Sequence, residues 1–133
     1  MRFLQQESFQ TSLNLLKKAE AMTPDNDRLR AATYNNFACL YRRTKKLRIA
    51  LSYLEKALEI EYLHLNLSED YEFSLQISNP ADIHLNICAI LSQMDKHEMA
   101  LQHAMRALTM IQEELLILSR QTANRGGSME EVR

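Results

Sequence analysis

The feature that most constrains this chain is an internal repeat with a spacing of fifty residues. The stretch that begins at Ala31 is followed by a second copy that begins at Ala81. Large residues recur where one helix inserts side chains into another, and small residues recur where two backbones come close. The matching pairs are Tyr34 and His84, Asn36 and Asn86, Phe37 and Ile87, Ala38 and Cys88, Tyr41 and Leu91, Ala50 and Ala100, Ala57 and Ala107. The sequence therefore predicts a stack of similar units, each of which buries its apolar face against the next.

The composition indicates that these units are helical. Only two Gly and two Pro occur in 133 residues, so turns are few and the elements between them are long. Hydrophobic residues make up 46% of the chain, which is enough for one domain with a continuous core. The apolar positions Phe9, Leu13, Leu16 and Ala19 lie on one helical face near the N-terminus. We therefore expect an all-α fold.

Start signals and breaks in the pattern divide the chain. Thr23 and Pro24 predict a cap and a first helical residue, and Asn79 and Pro80 predict the same for a later helix. Between those signals, residues 67–78 alternate apolar and polar side chains with a period of two. The end of the chain contains both glycines and no apolar stripe. We expect a helical domain over residues 1–120 (a single helix at 3–23, a helix pair at 24–66, an insert at 67–78 and a helix pair at 79–120) and a flexible tail at 121–133.

The repeated unit resembles the tetratricopeptide repeat, a 34-residue helix–turn–helix. The pattern of that family is matched by Tyr34, Phe37, Ala38, Tyr41, Ala50, Leu54 and Ala57, and Tyr62 stands where the family has a closing proline. The second copy departs from the pattern at His84 and Ala104. Near the N-terminus, Phe9, Ser12, Leu16, Ala19 and Pro24 fit a second helix only, so we expect the chain to begin partway through a repeat array.

The resemblance implies a right-handed superhelical array of antiparallel helix pairs, with about two and a half repeats here. It also implies a protein–protein interaction module or scaffold that binds a peptide or helix of a partner in its concave groove. In such an array the first helix of each pair lines the groove, which places these residues on the ligand-facing side: Asn35, Asn36, Arg42, Arg43, Asp82, Asn86 and Gln93. An amide such as that of Asn36 or Asn86 pairs with a peptide backbone in both directions. The alternative is that these residues make helix–helix or capping contacts.

Five cations lie within seven residues at the predicted turn of the first full repeat: Arg42, Arg43, Lys45, Lys46 and Arg48. They fit either a solvated turn or a contact with an acidic partner at the rim of the groove. We do not expect nucleic-acid binding, because no aromatic residues alternate with the cations as stacking platforms and the net charge is −1.

A second function class depends on the last helix, whose apolar stripe continues beyond the repeat. Ile111, Leu115 and Leu118 extend this stripe, and an exposed surface of this kind needs a cover. We therefore also weigh a structural unit that forms a homo-oligomer within a larger complex. Long repeats are similar to the kinesin light chain type of array, which implies a cytoskeletal or ciliary association of such a unit.

The sequence contains no phosphate-binding loop and no nucleophile motif, so we do not expect an enzyme or a cofactor. His84 and Cys88 have a spacing that occurs in metal sites, but two ligands do not make a site, and we expect no metal. Cys39 and Cys88 lie in apolar runs, which indicates reduced and buried thiols in a cytoplasmic protein. No apolar run is long enough to cross a membrane, and we expect no membrane partner.

Overall fold

The computed structural model describes residues 2–25, 27–68, 70 and 80–131, with only the backbone described for residues 2–4 and 126–131. Within these residues the chain forms five helices, and no strand occurs. The helices are α1 (Arg2–Met22), α2 (Arg28–Arg43), α3 (Leu47–Leu67), α4 (Pro80–Gln93) and α5 (His97–Glu131). Each helix packs mainly against the helices that precede and follow it in the chain. The predicted all-α repeat fold is therefore confirmed, while the hand of the superhelix stays a prediction.

The two helix pairs, α2 with α3 and α4 with α5, are closed by the same turn. Lys45 and Asp95 adopt positive φ angles of 65° and 61°. In the first turn the N–H of Lys45 donates to the carbonyl of Arg42, and the N–H of Lys46 donates to that of Tyr41. The second turn repeats both bonds fifty residues later. This is the Schellman arrangement, in which a left-handed residue lets the chain satisfy the last carbonyls of a helix and reverse direction.

The core lies where α2, α3 and α4 meet. Small residues allow the helices to approach closely, and Ala31, Ala38, Ala50 and Ala57 are all buried. Larger apolar side chains fill the remaining space, led by Phe37, Leu54, Ile87, Ile90 and Leu91, each 1% exposed. Burying side chains of this size contributes roughly 1.5–3 kcal/mol each to the free energy of folding before entropy is counted. The alternation of small and large positions in the sequence thus has a direct packing role.

Aromatic residues of α2 surround Tyr53 in α3, and one of them also contacts α1. Its ring lies 4.7 Å from that of Phe37 and 5.7 Å from those of Tyr41 and Tyr34. Phe9 of α1 contacts Tyr41 edge to face at 6.0 Å. Burial, reinforced by nearby Tyr41, Glu20 and Tyr34, raises the pKa of Tyr53. The aromatic residues of the repeat pattern therefore bind α1 to the first helix pair, with geometries that favour ring contacts.

The start of α2 differs from the sequence prediction. Asp27 is the N-cap, and its carboxylate accepts a hydrogen bond of 2.8 Å from the N–H of Leu29. The hydroxyl of Thr23, the predicted cap, instead donates to the carbonyl of Ala19 at the end of α1. Pro24 lies between the helices and not at the first helical position. Asp and Thr are both good caps, so the choice depends on where α2 docks. By contrast, Pro80 begins α4 as predicted, and Asn79 lies outside the described residues.

The last helix extends further along the chain than the apolar pattern indicated. Helix α5 continues without a break to Glu131, and the flexibility expected of residues 121–133 stays a prediction. The missing apolar stripe signals exposure and not the end of a helix, and residues 121–125 are indeed exposed. No proline interrupts this stretch, and Gly126 and Gly127 cost a helix only about 1 kcal/mol each relative to alanine. The alternating segment lies largely outside the described residues, since Glu69 and residues 71–79 are not described, and α3 extends to Leu67.

Candidate functional site

Four of the predicted ligand-facing residues form hydrogen bonds between α2 and α4. The side-chain N–H of Asn86 donates to the amide oxygen of Asn35 at 3.1 Å. Seven residues further along each helix, Arg42 Nε donates to Gln93 Oε1, also at 3.1 Å. Because both pairs have the same spacing in the chain, α2 and α4 run parallel. These four residues therefore form helix–helix contacts between the two repeats, which was the alternative interpretation of the sequence pattern. Their contact with a ligand stays a prediction.

The junction beneath these bonds is closely packed. A cavity of about 10 Å³ remains there, lined by Ala38, Cys39, Arg42, Leu54, Asn86 and Ile90. This volume is about the minimum that holds a single water molecule. Helix α2 therefore leaves little free volume where it meets α3 and α4.

A much larger groove lies between α1 and α2. One cavity of about 320 Å³ is lined by Ser12, Leu15, Leu16, Asn36, Cys39, Leu40 and Arg43. Two further cavities, of about 340 and 570 Å³, share Gln5, Phe9, Arg43 and Thr44 and continue the groove towards the end of α2. We call this surface the α1–α2 groove. Its floor is apolar and its rims carry amide, hydroxyl and guanidinium groups, a combination that suits a peptide or a helix.

Asn36 and Arg43 are the two predicted ligand-facing residues that line this groove. Both are exposed, and among the described residues neither side chain forms a hydrogen bond. Arg43 lies in the last turn of α2 together with Arg42, where the helix dipole favours cations. Lys46 follows, with its ammonium 6.0 Å from the centre of the Phe9 ring. The end of the groove is therefore basic, which favours an acidic group on whatever binds there.

The remaining predicted residues lie elsewhere. Asp82 is exposed in the first turn of α4, where a carboxylate is favoured by the helix dipole. Cys39, predicted to be buried, is exposed because it lies on the side of α2 that lines the open groove. Cys88 is partly buried, and both thiols are free. The exposed positions of Lys45, Lys46 and Arg48 match a solvated turn.

The predicted oligomer surface is an exposed stripe on α5. The side chain of Leu115 is 60% exposed and that of Leu118 is 45% exposed, while Ile111 is half-buried. Leu101 and Leu108 continue the same stripe towards the start of the helix, and both are exposed. A neighbouring side of α5 packs on the protein itself, with Ala100, Ala107 and Ile117 buried. This helix therefore has two apolar stripes, of which one lies against its own repeat.

A polar cluster inside the second repeat was missed from the sequence. His84 is fully buried, and its Nε2 lies 2.8 Å from the hydroxyl of Tyr62 in α3. The Tyr62 hydroxyl also lies 3.6 Å from the sulfur of Met110 in α5. The sequence marked His84 and Tyr62 as departures from the repeat pattern, but it gave no sign that the two side chains meet. Among the described residues, no group of three His, Cys, Asp or Glu side chains is placed to hold a metal ion.

These features define an all-helical repeat protein built from stacked antiparallel helix pairs. Residues 30–61, which span nearly all of α2 and most of α3, match the tetratricopeptide repeat family. This match supports the resemblance to that family drawn from the sequence. No curated protein and no solved structure is significantly similar to the chain. None of the described helices is both long enough and apolar enough to cross a bilayer. Tetratricopeptide repeats are, in general, protein–protein interaction modules.

Proposed function

We propose that this chain is a protein-interaction module that binds a peptide or helix of a partner in the α1–α2 groove. The observation that supports this proposal best is the contrast between two junctions. Where α2 meets α3 and α4 the remaining cavity is about 10 Å³, but between α1 and α2 the cavities reach about 570 Å³. The larger groove combines an apolar floor with exposed Asn36 and Arg43, which are able to bond a peptide backbone and an acidic side chain.

The test uses a displayed library that contains both helical and extended peptides, selected against the purified chain. Selected peptides are then measured against Asn36→Arg, which introduces a bulky charge into the groove. The matched control is Asn66→Arg, the same substitution at an exposed position near the end of α3. We expect Asn36→Arg to weaken binding at least tenfold, about 1.4 kcal/mol, and Asn66→Arg to have little effect. Equal binding by both variants would exclude this groove as the site.

The exposed stripe on α5 favours a second candidate function, a structural unit that forms homo-oligomers. Leu101, Leu108 and Leu115 are spaced seven residues apart, and Leu118 follows three residues after Leu115. Apolar residues at this spacing are typical of surfaces that pair with another helix. Multi-angle light scattering over a range of concentrations tests this function. We expect association that is lost in the double variant Leu115→Glu and Leu118→Glu and kept in Met99→Glu; a strict monomer at all concentrations would rule it out.

The location of this function within the cell, including a cytoskeletal or ciliary association, follows only from the likeness to long-helix arrays. We propose a cytoplasmic location for this protein. Fluorescence microscopy of the tagged chain, with the Asn36→Arg variant for comparison, tests both the location and its dependence on the groove.

A further inference from the structure

The residues that line the α1–α2 groove are equivalent, by position in the repeat, to the residues of α3 and α4 against which α2 packs. On the α2 wall, Asn36 and Leu40 correspond to Asn86 and Ile90 of α4, fifty residues later. On the α1 wall, Leu16 takes the position in the repeat pattern that Leu54 takes in α3. Leu54, Asn86 and Ile90 line the small cavity that α2 covers, and Leu16, Asn36 and Leu40 line the large open one. The structure therefore contains the same receiving surface twice, once covered by a helix and once open.

The covered copy shows what kind of occupant this surface takes and in which direction it lies. The occupant is an α-helix that runs parallel to the receiving helix, because Asn35 bonds Asn86 and Arg42 bonds Gln93. Ala38 and Cys39 lie between those two polar positions and line the closely packed junction. The side chains at these two places are small, and the polar residues at either end fix the register.

We propose that the α1–α2 groove binds a single amphipathic helix of a partner protein that runs parallel to α2. This helix carries an amide at the position equivalent to Asn35 and a carboxylate at the position equivalent to Arg42. Small residues occupy the positions equivalent to Ala38 and Cys39. This inference rests on the proposed function and specifies its ligand. The order of side chains along the partner helix is therefore amide, small, small and acidic, at positions i, i+3, i+4 and i+7.

The acidic residue follows from a charge difference between the two copies. In the covered copy the residue on the receiving helix is Gln93, which accepts a hydrogen bond from the guanidinium of Arg42. In the open copy the corresponding residue is Arg43, with Lys46 nearby on the same groove. A cation on the occupant would be repelled there, whereas a carboxylate pairs with Arg43. For the same reason α2 of a second copy is a poor occupant, since its Arg42 would face Arg43.

The test uses two synthetic peptides about as long as α2, each stapled on its outer face because short isolated helices are marginal in water. Both carry Asn, Ala and Ala at positions i, i+3 and i+4; one carries Glu at i+7 and the other Arg. Fluorescence anisotropy measures their binding to the wild-type chain, to Arg43→Glu and to the matched control Arg48→Glu. Circular dichroism confirms that the variants remain helical. We expect the wild type and the Arg48→Glu variant to bind the Glu peptide at least about tenfold more tightly than the Arg peptide. We expect the Arg43→Glu variant to bind the Arg peptide more tightly.

The position of the bound peptide is read from Cys39, which is exposed on the groove. We expect the Glu peptide to slow alkylation of Cys39, measured by peptide-resolved mass spectrometry, at saturating concentration. A nitroxide attached to the C-terminal end of the peptide tests the direction of the bound helix. If the helix runs parallel to α2, the nitroxide broadens the NMR signals of the Thr44 and Lys45 amides.

Several results would overturn the inference. Failure of the Glu peptide to bind, equal affinities of the two peptides for Arg43→Glu, or unchanged Cys39 alkylation in the complex would each exclude this helix and register. Self-association of the wild type that the groove variant Asn36→Arg abolishes would replace the partner helix by a second copy. The library selection separates these failures from failure of the proposed function: extended peptides that depend on Asn36 would contradict the helix and leave the groove as a binding site.

Discussion

The Nδ1 atoms of His84 and His103 lie 2.9 Å apart in the second helix pair, where one imidazole must donate and the other accept. The same His84 ring meets the hydroxyl of Tyr62 through its Nε2 atom. Two arrangements in which both imidazoles are neutral satisfy this chain of side chains. Protonating both histidines would place two N–H groups against each other. The hydrogen bond between His84 and His103 is therefore lost when both histidines are charged.

The first prediction concerns stability at low pH. Burial, with contributions from His103 and Arg106, lowers the pKa of His84 from 6.5 to about 4. The pKa of His103 is also lowered, mainly by burial and then by Arg106, against the opposing effect of Glu55. Between pH 6.5 and about 4 the unfolded chain thus binds more protons than the folded chain. We expect the contribution of His84, about 2–3 kcal/mol, to be present above pH 6.5 and lost as the pH falls towards 4.

Urea unfolding at a series of pH values measures this loss. The variant His84→Phe removes the buried imidazole, and we expect a flatter dependence of the unfolding free energy on pH between 6.5 and 4. The control is His97→Gln, which changes a histidine that is exposed at the start of α5. An unchanged slope in His84→Phe would show that the cluster does not link folding to protonation.

The second prediction concerns the two left-handed turn residues. Lys45 has a Cβ atom that crowds the following carbonyl at a φ of 65°, whereas glycine adopts this conformation without that cost. We expect Lys45→Gly to raise the free energy of unfolding by roughly 0.5–1 kcal/mol, and Asp95→Gly to raise it less, because Asp tolerates this region better. The control is Lys46→Gly, where φ is −88° and no gain is expected. Thermal denaturation distinguishes the three variants, and a loss of stability in Lys45→Gly would contradict the argument.

The third prediction compares equivalent leucines in the covered and open junctions. Leu54 is 1% exposed beneath α2, and Leu16 is only partly buried in the α1–α2 groove. We expect Leu54→Ala to cost about 2–5 kcal/mol, because it leaves a cavity that the packed helices cannot close. We expect Leu16→Ala to cost roughly 1 kcal/mol, because much of its surface is already in contact with water. Chemical denaturation measures both; equal costs would indicate that the groove is closed in solution.

The fourth prediction decides between two caps for α2. Asp27→Ala removes the hydrogen bond to the N–H of Leu29, and we expect a loss of about 1 kcal/mol. Thr23→Ala, at the cap that the sequence favoured, should cost less than about half of that, because this hydroxyl bonds the preceding helix. Asp27→Asn should retain most of the stability, since an amide oxygen also accepts the bond. A larger loss in Thr23→Ala than in Asp27→Ala would place the cap at Thr23.

The sequence pattern predicted some features of the candidate site and not others. The recurrence of Ala38, Ala50 and Leu54 predicted the helices and the closely packed core, because those positions are set by local periodicity and by size. The pattern also selected Asn35, Asn36, Arg42 and Arg43 as one ligand-facing group. The structure divides that group, since neighbouring residues on a helix point about 100° apart. Asn35 and Arg42 face α4, and Asn36 and Arg43 face the α1–α2 groove.

The sequence by itself determined the all-helical fold, the resemblance to the repeat family and the turn between α2 and α3, because helix periodicity and small or large side chains act over a few residues. Only the tertiary structure decided which cap begins α2 and that His84, His103 and Tyr62 form one hydrogen-bonded cluster. Those features depend on how separate helices dock, and docking brings together residues that are about twenty to fifty positions apart in the chain. The same docking leaves one receiving surface covered by α2 and its equivalent, between α1 and α2, open.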